Sequence, residues 1–300
     1  MDSLAGTSAG KTIPAHREDY LKRFGALSDA DKTALEAFVA ARAEHMRRST
    51  GSAMLGAFCN AATVAAALEG VRGELSGKSW EGLAGALDHF EPKYRKVWND
   101  GAIPQAFLER ARADARLPEI AALLEKIVKF YGVDPLAATP PRLALVPVPA
   151  GYGTHAEAIG GVLLLEIRDG EGLAEEASVI VHENAHFLWS LVPPERKTDL
   201  ADFAAGMNGR AQREFPHLGE AIPTALGQGV ADRLFRPSSW SPDDPWYHVP
   251  EIDLCAKRIF PIVRYALEAG QQMDRDFLVR TLAAATRSNP AAKQLAISPR

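Results

Sequence analysis

The chain has 300 residues, 47% of them hydrophobic and 24% charged, with a formal net charge of -4. That balance fits a soluble globular protein, and the absence of a basic stripe with interleaved aromatics argues against nucleic acid as a partner. No apolar run approaches the roughly 20 residues of a membrane span.

The opening MDSLAGTSAGKTIPAHREDY lacks the apolar core of a signal peptide. It reads as a disordered or flexible tail over 1–20. As written the chain suits the cytoplasm, and a small polar start equally suits a periplasmic or secreted protein whose leader has been removed. Cys59 and Cys255 form no CxxC motif. Two buried free thiols are expected, with a disulfide between them as the alternative.

Residues 21–135 read as a helical N-terminal region. Ser28 is an N-cap candidate for SDADKTALEAFVAARAEHMRR, whose acids come early and arginines late, as the helix dipole favours. AMLGAFCNAATVAAALEG is small and apolar nearly all round and reads as one central buried helix. LPEIAALLEKIVKFYG places Ile120, Leu123, Leu124 and Ile127 on one face and stops at Gly132. His16, His45 and His89 stand alone and read as surface or satisfied groups.

Residues 136–300 form a second region. Arg142 to Val148 reads as a strand near a sheet edge, because it carries Pro147. AEAIGGVLLLEIRDGE reads as a further strand centred on Val162 to Ile167, and His155 as a turn residue before it. The fold class expected is α+β and mostly α-helical, with a small mixed or antiparallel sheet ahead of the next helix.

That helix, Leu173 to Leu191, contains VIVHENAHFLW. His182 and His186 are four apart, so both rings project from one face about a turn apart. That spacing lets two imidazoles reach one zinc ion, and Glu183 is placed to touch a water beside it. This is H-E-x-x-H. The competing reading is a pair of ordinary core histidines. A catalytic zinc needs a third protein ligand. After His186 the chain runs FLWSLVPP, without the G-x-x-H that would supply another histidine. Glu220, in HLGEAIPTALGQGVADRLF, is the preferred candidate, with His217 and Glu214 as rivals. The residues after it read as an amphipathic helix with Ile222, Leu226, Val230 and Leu234 on one face and Pro223 in its first turn.

A strand pair, an H-E-x-x-H helix and a later glutamate resemble the gluzincin group of zinc metallopeptidases, over Arg142 to Leu282. The resemblance implies a zincin-like catalytic domain in 136–300, Zn2+ held by His182, His186 and Glu220, and Glu183 as general base toward water. It implies a peptide or protein substrate and a tyrosine or histidine donor for the oxyanion. Tyr265 is favoured for that role over Tyr247 and His248. It also implies that the strand IGGVLLLEI pairs with substrate, Gly160 and Gly161 allowing close approach, against the alternative of a plain core strand. The chain departs from the group at Thr224, where several members carry an aspartate that supports a zinc-bound histidine. Two further readings stay open: a catalytically silent binding protein on the same fold, and a zinc hydrolase of a non-peptide amide.

Overall fold

The computed structural model describes residues 13–48, 53–101, 117–135, 138, 141–148, 156–159, 161–168, 176–207 and 209–286. Among them the chain is mostly helical with one three-stranded mixed sheet. No described helix is long and apolar enough to cross a membrane. The chain divides into two compact units, one of residues 1–114 and 140–172, the other of 115–139 and 173–300.

The first unit begins with α1 (Ile13–Phe24), so the tail read over 1–20 is helical from Ile13 onward. Residues 1–12 lie outside the described residues. Helix α2 (Asp29–Arg48) starts as its composition predicts. Asp31 N–H donates to Ser28 Oγ at 3.2 Å and Ser28 N–H donates back to Asp31 Oδ2 at 2.9 Å. This reciprocal cap satisfies two amides that a helix start leaves open. The buried Asp31 carboxylate also meets Lys93 Nζ at 2.5 Å and His89 Nε2 at 2.7 Å. Burial alone would raise its pKa, but these partners and Ser28 hold it well below the usual carboxylate range. His89 is therefore a satisfied group; the buried His45 brings Nε2 within 2.5 Å of Glu74 Oε2, but without hydrogen-bond geometry. The side chain of His16 lies outside the described residues.

The small apolar stretch is two helices, α3 (Ala53–Asn60) and α4 (Val64–Val71), not one. Asn60 turns its amide back onto Gly56 O at 2.9 Å, and Thr63 caps α4 by accepting from Ala66 N–H at 3.1 Å. Side chains that bond to their own backbone compete with helix continuation. Nor is the stretch buried all round: Val64 is exposed and Cys59 only half-buried. Helix α5 (Gly77–Gly101) packs against α2, and Phe38, Ala41, Leu68, Val71 and Leu83 make the core of this unit.

The sheet runs in the order β1 (Arg142–Val148), β3 (Val162–Arg168), β2 (Ala156–Ile159). β1 pairs with β3 in parallel from Arg142 opposite Val162, and β1 is an edge, as its proline requires. β2 and β3 form an antiparallel hairpin in which Ile159 faces Val162. The one strand read from AEAIGGVLLLEI is thus two, with 160–161 as the connection and Gly161 at φ 79°. This corrects the substrate-strand expectation. β3 is the central strand, with both of its sides paired by the chain itself, so it offers no free edge to a peptide. His155 lies outside the described residues.

The second unit contains α6 (Leu117–Tyr131), although the sequence placed that helix with the N-terminal region. It ends where expected, at Gly132 with φ 62°. A side chain there would also collide with Arg196, whose Cβ-to-Nη1 approach would be 2.1 Å. Arg196 caps that end by donating to Tyr131 O and Met273 O, each at 2.8 Å. The following helices are α7 (Ala177–Leu191), α8 (Pro194–Ala205) and α9 (Gly209–Glu214). After one 3-10 turn come α10 (Leu218–Thr224), a π-helical segment Ala225–Ala231 and α11 (Asp232–Phe235). The unit closes with α12 (Pro250–Glu268) and α13 (Arg275–Ala285). Ala177, Val181, Ala185 and Leu188 of α7 recur at helical spacing and pack into a core with Ala221, Leu226, Ile259 and Val263. The side chains one position further on, Ser178, His182 and His186, form the neighbouring stripe of the same helix.

Candidate metal centre

His182 and His186 rise from the middle of α7, where the apolar stripe beside them fixes the helix. Glu220 comes from the first turn of α10. The three side chains converge. His182 Nε2 lies 3.1 Å from His186 Nε2 and 3.5 Å from Glu220 Oε2, and His186 Nε2 lies 3.3 Å from the same oxygen. One ligand atom from each stands within 4.8 Å of the others, an arrangement that could hold a metal ion. His217 and Glu214, the rivals for third ligand, pair with each other at 3.2 Å instead.

The electrostatics follow from this convergence. Burial would raise the Glu220 pKa, but the two imidazoles hold it well below the usual range. Burial would lower that of His186, yet the hydrogen bond to Glu220 and the charges of Glu220 and Glu183 raise it. Glu220 is thereby held as the carboxylate, the form that binds a cation.

Glu183 sits beside the cluster. Its Oε1 is 4.0 Å from His182 Nε2 and its side chain is 15% exposed, so solvent reaches it.

Tyr247 joins the cluster, and Tyr265 does not. The Tyr247 hydroxyl donates to Glu220 Oε2 at 3.2 Å, and its ring stacks on His182 at 6.1 Å and 9°. Burial, the Glu220 charge and that hydrogen bond push its pKa up to about 12, which keeps it a neutral donor. Tyr265 is 58% exposed and lies under Arg280 of α13. The exposed His248 packs its ring tilted against Tyr247, at 4.5 Å and 31°. Choosing Tyr265 relied on its helix. The signal for Tyr247 was the stretch DDPWYHVPEID. There Asp253 accepts from the Trp246 and Tyr247 amides at 2.6 and 3.1 Å, while the buried Trp246 packs edge-on against Phe260.

The π-helical segment is the part that sequence reasoning missed. Two glycines let it pack closely, Gly227 against α7 and Gly229 against Phe260 of α12. A Cβ on Gly227 would stand 2.4 Å from Ser178 O and 3.0 Å from His182 Cβ. A Cβ on Gly229 would strike Phe260 at 2.6 Å. Hydrogen bonding from i to i+5 also turns the downstream face, so Leu234 is 51% exposed where unbroken α-periodicity predicted a buried residue. Pro223 lies at the sixth residue of α10, beyond its first turn. Thr224 is fully buried, and both its Oγ1 and His182 Nδ1 lack a hydrogen-bond partner.

Comparison with protein-family models, curated proteins and solved structures finds no match for this chain.

Proposed function

We propose that the chain is a zinc-dependent hydrolase of peptide bonds, with a zincin-like arrangement of the α7 and α10 helices and Glu183 as general base. The observation that carries this reading is the convergence of three donors of the right chemistry. Zinc bound tetrahedrally at about 2.0–2.1 Å spaces its donors about 3.3–3.4 Å apart. The three separations here are 3.1, 3.3 and 3.5 Å. Two imidazoles and one carboxylate suit zinc better than magnesium or calcium, which prefer all-oxygen shells. The residues present therefore fit the ion.

When bound, zinc supplies a Lewis acid that activates water and polarises a carbonyl. The protein supplies the rest. Glu183, which solvent reaches, takes the proton of the attacking water on a carboxylate oxygen and returns it to the departing amine. The Tyr247 hydroxyl, held protonated, donates to the oxyanion as the carbonyl becomes tetrahedral. His182, His186 and Glu220 fix the position at which these groups meet.

The test is cleavage of a mixed peptide library by the zinc-loaded full chain and by Glu183→Ala. Wild type cleaves, and the variant loses cleavage by about 100-fold or more while retaining zinc. Zinc binding without Glu183-dependent cleavage would replace this reading with that of a silent binding protein. Cleavage confined to small non-peptide amides would replace it with an amidohydrolase.

A further inference from the structure

We propose that a cavity in the second unit is a binding site for one small aromatic or branched aliphatic group, independent of the hydrolase reading. The cavity measures about 180 Å³, and Tyr131, Trp189, Leu200, Phe215, Met273 and Leu278 form its walls. None of the three converging donors lines it.

The walls define what fits. Tyr131 and Leu278 are 2% exposed and Leu200 and Met273 3%, so the floor belongs to the core. No charged side chain lines the space. Two cations beside lining residues are already engaged: Lys197, above the Trp189 ring, donates to Ser190 O at 2.9 Å, and Arg196 donates to Tyr131 O and Met273 O at 2.8 Å. The lining is mainly apolar, and an apolar cavity of about 150 Å³ takes up benzene. Rings from Tyr131, Trp189 and Phe215 offer edge and face partners to an aromatic occupant. A filled cavity regains the dispersion contacts that an empty one forfeits.

Position gives the site its interest. Trp189 is three residues past His186 on α7, and Gly219 and Pro223, which flank Glu220 on α10, also line the cavity. An occupant therefore packs against the two helices that carry the metal donors.

Toluene titrated into the full chain by calorimetry is the test. Saturable binding of one equivalent is expected, with a Kd of about 1 mM or tighter. Two variants enlarge lining residues: Leu278→Phe, and Gly219→Leu, at which an added Cβ meets nothing within 4 Å. Each weakens binding by about tenfold or more. No saturable binding to wild type overturns the proposal, as does wild-type affinity in both filled variants. If Leu278→Phe does not fold, Gly219→Leu alone decides.

Discussion

Tyr247 shows how much a single side chain depends on groups far from it in sequence. Its hydroxyl reaches Glu220 because Asp253, at the start of α12, takes the amides of residues 246 and 247. Removing the hydroxyl leaves that anchoring intact. Tyr247→Phe is expected to lower kcat by about 10²–10³-fold, as loss of one oxyanion donor does, with KM and zinc affinity little changed. Steady-state kinetics on a cleaved peptide check this, and an unchanged kcat would remove Tyr247 from the reaction. The residue identities at the centre were legible in the sequence. His182 and His186 declare themselves by their spacing, and Glu183 by its place between them. Glu220 was recoverable because its helix could be read. Tyr247 was not preferred, because a loop residue has no periodicity to show which way it faces. Its neighbours Trp246 and Asp253 fix it only through three-dimensional contacts.

Elements of regular period were read well and elements that break period were not. α2, α6 and α7 follow their apolar spacing closely, and Ser28 and Gly132 mark the start of α2 and the end of α6. The break between α3 and α4 depends on Asn60 and Thr63 bonding to their own backbone, a competition that composition hides. The hairpin β2–β3 hides in one apolar run because a two-residue connection leaves little polar signal. The π-helical segment is the most consequential of these. Its i to i+5 bonding spans seven residues and rotates everything after Ala225, while Gly227 lets it lie directly on the helix of His182. Segments of this kind concentrate at functional sites. Gly227→Ala forces a Cβ against Ser178 O and His182 Cβ, neither of which is the far end of a flexible chain. The expected cost is about 1–3 kcal/mol of stability, together with about tenfold weaker zinc binding as His182 shifts. Urea unfolding and zinc titration read the two effects separately. A variant with wild-type zinc affinity would mean that the close approach does not position the ligand.

At the scale of the molecule, the division of labour is clear. All three converging donors, Glu183, Tyr247, the π-helical segment and the apolar cavity belong to the second unit, while the sheet belongs to the first. The sequence boundary at residue 135 put α6 with the N-terminal helices, because helical texture is continuous up to Tyr131. The structure packs α6 against α7, its Ile127 and Phe130 joining Val181 and Leu188 in one core. Tertiary burial, rather than local pattern, assigns a helix to its unit. The account as a whole rests on one ion being held by His182, His186 and Glu220. Calorimetric titration of zinc into the full chain tests it most directly, beside His182→Ala, His186→Ala and Glu220→Ala. The account predicts one equivalent of zinc per wild-type chain and at least about tenfold weaker binding in every variant. A wild-type chain that takes up no zinc, or variants that bind it as tightly as wild type, would contradict it.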